Sequence, residues 1–111
     1  LALDEPPTAI YALSDMLAVG ALYALHRYNV PVPECVSVVG FDNTASSAYT
    51  WPPLTTIAQD GPLKGPRAVH MLLDLIKGCA GPVEEILEPT LVIRESTKTP
   101  RDVAPKGRWI E

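Results

Sequence analysis

The sequence predicts an α/β fold built on a parallel sheet, and two features of its 111 residues indicate this class. An apolar strand, a helix and a β-branched strand follow one another within residues 8–41. This order and length are typical of a βαβ unit, whose two strands lie parallel. A hydrophobic content of 47% is enough for one small domain with its own core.

The first half of the chain predicts two strands around one helix. Residues 8–13 form an apolar run after a proline-containing turn and predict the first strand. A helix is predicted over about residues 15–28, because Ser14 or Asp15 offers a side-chain oxygen to the free N–H groups of its first turn. It is expected to stop at Asn29, ahead of two prolines. Residues 36–41 predict the second strand.

The predicted first helix carries more apolar surface than one contact with a sheet requires. One stripe is predicted to pack on the sheet: Leu17, Ala21, Ala24 and Tyr28. A second set then points elsewhere and would be exposed in a monomer: Val19, Leu22, Tyr23 and His26. A homodimer contact is the simplest cover for this second face. The alternative is another layer of the same chain.

The second half of the chain predicts four segments: a strand over 54–58, a turn over 59–62, a helix over 63–77 and a strand over 90–95. Gly78 is well placed to end this second helix. Pro66 either marks where the helix begins or kinks its first turn. Residues 99–111 show no periodicity and predict a mobile tail.

Ser14 and Asp42 each follow a predicted parallel strand at the point where it ends. Ligands of open α/β sheets bind at that edge. An ionised Asp42 only accepts hydrogen bonds, which suits the paired hydroxyls of a sugar, polyol or ribose, and Asn43 can add a neutral hydrogen bond. The alternatives are an Asx-turn at Asp42 and a plain helix cap at Ser14.

Composition and motifs argue against several other classes of protein. A net charge of −4 and a pI near 5.1 argue against nucleic-acid binding by this segment itself. No GxSxG, HExxH or phosphate-binding glycine loop is present, so no enzyme activity, catalytic residue or cofactor is predicted. Cys35 and Cys79 lack CxxC spacing, so no metal site is predicted, and two unlinked thiols suit a reducing cytoplasm. No run of about 18 uncharged apolar residues predicts a membrane span.

Three blocks of the sequence resemble the lactose and galactose repressor family of bacterial transcription regulators. They are TAIYALSDMLAVGALYAL at residues 8–25, VSVVGFDNTASSAYTWPPLTTI at 36–57 and LVIREST at 91–97. The GFDN turn followed at a fixed distance by PPLTTI is the most specific of these signals. The resemblance implies a two-lobed, periplasmic-binding-protein-like fold that binds a small effector, a sugar or a similar polar molecule, in its cleft.

The resemblance also implies that the chain is one part of a longer protein. Residues 1–98 would form the C-terminal part of the effector-binding domain, with 1–58 and 89–97 in the second lobe and 61–78 as a helix of the first. A helix-turn-helix that binds DNA would precede Leu1, a start that itself looks like the interior of a longer chain. A periplasmic sugar receptor for transport is the alternative function, and a fragment of an α/β enzyme is a more distant one.

Individual residues receive roles from the same resemblance. Asp42 matches the acid that contacts the effector, Ser14 stands where the family usually has asparagine, and Gln59 matches a position at the cleft. Gly61 replaces a larger residue, which is expected to open the pocket. The loop over 46–51 matches part of the family's dimer contact and adds three residues to the predicted interface: Ala48, Tyr49 and Trp51. Stacking of Trp51 on a sugar ring is the alternative.

Overall fold

The computed structural model describes residues 6–59, 61–79 and 84–100. Its regular elements are β1 (Ala9–Tyr11), α1 (Asp15–Arg27), β2 (Ser37–Phe41), a 3₁₀ helix (Ala45–Tyr49), β3 (Thr55–Ala58), α2 (Gly61–Ile76) and β4 (Thr90–Val92). The sheet order is β1-β2-β3-β4, with the first three strands parallel and β4 antiparallel to β3. The predicted α/β class is confirmed, and the antiparallel edge strand makes the sheet a mixed one.

Several predicted segments differ from the structure at their ends, and the first strand, predicted over 8–13, is regular only over Ala9–Tyr11. The turn predicted over 59–62 is shorter, because Gly61 and Pro62 already belong to α2 and proline is well suited to the first turn of a helix. Pro66 therefore lies inside α2 and does not mark its start. The last strand is regular only to Val92, since the Arg94 N–H donates to Thr55 Oγ1 at 2.9 Å and leaves the ladder. Asp60 and residues 101–111 of the predicted tail lie outside the described part of the chain.

Both helices end in a left-handed residue, at the positions where the sequence predicts their ends. Asn29 has φ 54°, and beyond it the Val30 N–H donates to the Leu25 carbonyl at 2.9 Å. Gly78 has φ 75°, and the Cys79 N–H donates to the Asp74 carbonyl at 3.0 Å. These six-to-one hydrogen bonds satisfy carbonyl groups that the ends of the helices would otherwise leave free.

The face of α1 that packs on the sheet is not the predicted stripe. Ala18, Leu22 and Leu25 are buried with Val36 and Val38, whereas two members of the predicted stripe are largely exposed: Leu17 (61%) and Tyr28 (53%). Leu22, predicted to be exposed in a monomer, is only 6% exposed. The physical reason is Asp15, which is drawn inward by hydrogen bonds and lies on the same stripe, so that it fixes the rotation of the helix.

Helix α2 packs far less than the rest of the described chain. None of its residues is buried, although it is rich in leucine and carries several half-exposed apolar side chains: Leu63, Val69, Leu72, Leu73, Leu75 and Ile76. An amphipathic helix with both length and apolar surface normally covers that surface against a partner.

Within the described ranges, no helix has the length and apolarity to cross a bilayer.

Candidate effector site at the sheet edge

The carboxyl ends of the three parallel strands meet at one edge of the sheet. Tyr11 pairs with Val39 and Phe41 pairs with Ile57, so the residues that follow each strand emerge side by side. Ser14, Asp42 and Gln59 are three of these residues. The structure thus places all three predicted ligand-binding residues at the edge where open α/β sheets bind ligands.

Asp42 and Gln59 are joined directly. Gln59 Nε2 donates to Asp42 Oδ1 at 2.7 Å, across the end of the β2–β3 ladder. Lys64 Nζ, from the first turns of α2, donates to Gln59 Oε1 and so orients the amide with its nitrogen toward Asp42. An ionised carboxylate accepts up to four hydrogen bonds, so Asp42 keeps capacity for ligand hydroxyls. Asp42 is exposed, as a binding residue requires.

The backbone at Asp42 and Asn43 is left-handed, with φ 108° and 52°. Such conformations are costly for residues other than glycine and collect at functional sites. An Asx-turn requires the aspartate carboxylate to accept a hydrogen bond from the backbone N–H two residues further along the chain. In the described chain the Asp42 carboxylate instead accepts from Gln59. The Asp42 N–H donates to the Ile57 carbonyl at 2.9 Å, which anchors the turn to β3.

Ser14 caps α1, as one of the two sequence interpretations holds. Its backbone is extended, and its Oγ accepts from the Leu17 N–H at 3.2 Å. The side chain remains half-buried at the edge of the sheet. Capping is therefore established for this residue, and contact with a ligand stays a prediction.

Arg94 is a residue of this site that sequence reasoning missed. Its Nη2 donates to Asn43 Oδ1 at 2.7 Å, and its Nη1 donates to the Leu54 carbonyl at 2.7 Å and to Ser47 Oγ at 3.1 Å. The guanidinium thus ties the turn after β2 to the 3₁₀ helix and the start of β3. The amide oxygen of Asn43, considered for ligand contact, is engaged by this bond. The only signal in the sequence is a basic residue directly after an apolar run.

Gly61 stands beside this edge at the start of α2. A Cβ built on Gly61 meets no other atom within 4 Å, so the space is open. That glycine here widens the pocket stays a prediction. Gly40 is the opposite case, because a Cβ there would collide with the Asp15 carboxylate and lie 2.9 Å from Leu54 Cδ2.

The predicted dimer residues lie on α1 and on the loop around the 3₁₀ helix, and the structure brings those of α1 together with Trp51. Trp51 and Tyr49 are 89% and 88% exposed, and Tyr23 is 63% exposed. A surface cavity of about 370 Å³ is lined by Val19, Leu22, Tyr23, His26, Thr50 and Trp51. Ala48 is exposed on the same loop, whereas Leu22 reaches the surface only at the floor of the cavity. Exposed aromatic side chains beside a cavity are typical of interaction surfaces, and dimerisation through these residues stays a prediction.

The sequence profile of the periplasmic binding protein-like domain matches residues 1–97. Curated relatives include the HTH-type transcriptional repressors PurR of Histophilus somni and CytR of Escherichia coli, each 41% identical, over 86% and 88% of this chain respectively. The HTH-type transcriptional regulator MalR of Streptomyces coelicolor is 45% identical over 81% of this chain. The chain spans less than a third of the length of these relatives, 29%, 29% and 26%.

Solved structures give the same result. A lac repressor dimer bound to operator and the anti-inducer ONPF is 40% identical, with a TM-score of 0.80 over 84% of this chain and 32% of its own. The transcriptional regulator CelR in complex with cellobiose is 37% identical, with a TM-score of 0.76 over 80% of this chain and 28% of its own. The resemblance to the lactose and galactose repressors is thereby confirmed.

Proposed function

This chain belongs to the periplasmic binding protein-like domain family, and from that premise we propose that it is the effector-sensing part of a bacterial transcription regulator. It would bind a sugar or a similar small polar molecule at the sheet edge and dimerise through α1 and the Trp51 loop. DNA binding would belong to a helix-turn-helix elsewhere in the intact protein, and its place of action would be the cytoplasm.

The observation that carries this proposal is the Asp42–Gln59 pair. A carboxylate and an amide, 2.7 Å apart at the carboxyl ends of two parallel strands, offer acceptors and donors to adjacent hydroxyl groups. Left-handed backbone holds the acid outward from the strand it ends.

The relatives support a regulator rather than a transport receptor. All three curated relatives named above are transcriptional repressors or regulators, and one solved relative is bound to its operator. The CelR–cellobiose complex supports a sugar as the class of effector. Effector binding would favour one arrangement of the two lobes and so alter the affinity for DNA.

The packing of α2 supports a division between two lobes. The sheet and α1 share one core, whereas no residue of α2 is buried. We therefore place β1 to β3 and the segment 89–97 in the second lobe, and residues 61–78 in the first, whose remaining elements would cover the leucines of α2. The cleft then lies where β3 leads into α2, beside Gln59 and Gly61.

The direct test uses the intact protein, a DNA fragment from upstream of its own gene, and a panel of cellobiose, lactose, maltose, galactose and ribose. We expect one sugar to bind with measurable heat in titration calorimetry and to change the affinity for the DNA by roughly 5- to 150-fold. A protein that binds a sugar but no DNA under any condition would be a transport receptor, and the proposal would fail.

The dimer surface gives a separate prediction. Tyr23→Asp should convert the dimer of the intact protein into monomers, because it places a charge at the centre of an aromatic patch that dimerisation would desolvate. The helix should survive, since an aspartate at this position lies four residues before Arg27. Sedimentation velocity measures the outcome. Tyr28→Asp is the matched control, at the C-cap of the same helix and half-exposed but outside that cavity, and should remain dimeric.

A further inference from the structure

We propose that Asp15 is a positioning residue that holds the effector-binding turn, residues 42–44, and with it the left-handed backbone of Asp42 and Asn43. This inference rests on the proposed function, because the turn contains Asp42. A carboxylate in the first turn would stabilise α1 whether it is exposed or buried. The buried position of Asp15 therefore needs another reason, and the neighbouring turn provides one.

Asp15 is a buried carboxylate that accepts three short hydrogen bonds. It is 1% exposed. Its Oδ2 accepts from the Thr44 N–H at 2.7 Å and from Thr44 Oγ1 at 2.9 Å, while its Oδ1 accepts from Thr56 Oγ1 at 2.5 Å. Donors to an ionised group form the stronger class of hydrogen bond.

These bonds hold the backbone at Asn43, the second left-handed residue, and directly after it. Thr44, bound directly, is the first residue after Asn43. Thr56 Oγ1, which donates to Asp15, also accepts from the Asn43 N–H at 3.3 Å. The chain of contacts therefore runs from Asp15 to the backbone of Asn43 and Thr44, directly beside Asp42.

The burial of Asp15 has no explanation in an ion pair. Among the described residues the one salt bridge joins Arg67 and Glu85, and Arg94, the cation of this site, bonds to Asn43 rather than to Asp15. Burial of an unpaired carboxylate is costly unless hydrogen bonds compensate it. Gly40 leaves the room for it, because a Cβ there would strike Asp15 Oδ1. Gly40 thus leaves room for the Asp15 carboxylate, and the hydroxyls of Thr44 and Thr56 bind that carboxylate beside the turn.

Amide hydrogen exchange of the intact protein without ligand tests this directly. In Asp15→Asn, exchange of the Asn43 and Thr44 amides should become roughly tenfold faster or more, which is the effect of losing a hydrogen bond to a charged group. The Val38 amide, in the middle of β2 and bonded to the Ser96 carbonyl at 2.8 Å, is the internal reference and should change little. Parallel acceleration of all three amides would mean a purely structural role and would overturn the proposal, as would no change.

Thr56→Val provides a second variant in case Asp15→Asn does not fold. It keeps the shape of the side chain and removes the hydroxyl that connects Asp15 to the Asn43 N–H. We expect faster exchange at Asn43 and retained protection at Thr44, whose bond to Asp15 is direct. Equal effects at both amides would contradict the proposed chain of contacts. Neither measurement uses an effector, so failure of the sugar panel and failure of this inference are distinguishable.

Discussion

Asp42→Asn should weaken binding of the effector by the intact protein by about 10- to 100-fold while leaving the fold in place. Asparagine keeps one carbonyl oxygen, so the hydrogen bond from Gln59 Nε2 is retained. It also tolerates the left-handed backbone that Asp42 adopts, with φ 108°. What is lost is the negative charge and an acceptor oxygen, and with them the charge-assisted bonds to ligand hydroxyls.

Titration calorimetry with the sugar identified in the panel measures the loss. Thermal unfolding without ligand should give nearly the same midpoint for Asp42→Asn and the unchanged protein. Glu34→Gln is the control, because it makes the same carboxylate-to-amide change at an exposed residue that precedes β2, at the opposite end of the strands. Unchanged affinity in Asp42→Asn would remove Asp42 from the site and leave it as a turn residue.

Gly40→Ala should destabilise the intact protein by about 2–4 kcal/mol, although it adds a single methyl group. The added Cβ would collide with Asp15 Oδ1 and lie 2.9 Å from Leu54 Cδ2 and 3.4 Å from Ala18 Cβ. Asp15, Ala18 and Leu54 are buried, so none of them can move into solvent. Relief would require α1 to shift or Asp15 to give up bonds that hold Thr44 and Thr56.

Chemical denaturation followed by circular dichroism measures this loss. Gly20→Ala is the matched control, since Gly20 lies inside α1 and a Cβ there meets nothing within 4 Å. Alanine has the higher helix propensity, so this control should gain about 0.5–1 kcal/mol. Equal stability of Gly40→Ala and Gly20→Ala would show that α1 is not packed as closely on β2 as the structure indicates.

The order of the elements and the sheet edge that holds the candidate site could be predicted from the sequence alone. The order of strands and helices could be predicted because its signals affect only neighbouring residues in the chain. These signals are the β-branched runs, the helix caps, and the helix-ending residues Asn29 and Gly78. The βαβ order then requires Ser14 and Asp42 to emerge at the same edge, whatever the packing details. The GFDN and PPLTTI blocks added the family, which the comparisons confirmed.

The rotation of α1 and the hydrogen-bond partners of the polar side chains depend on tertiary contacts, and the sequence did not predict them. A helix that is apolar on two faces has no single favoured stripe, so the pattern favoured Leu17 and Tyr28 wrongly. The rotation follows from Asp15, whose hydrogen-bond donors lie 29 and 41 residues further along the chain. Arg94 likewise reaches Asn43 across 51 residues. Contacts over such separations leave no local periodicity, and therefore the residues that hold the turn emerge only once the sheet has brought them together.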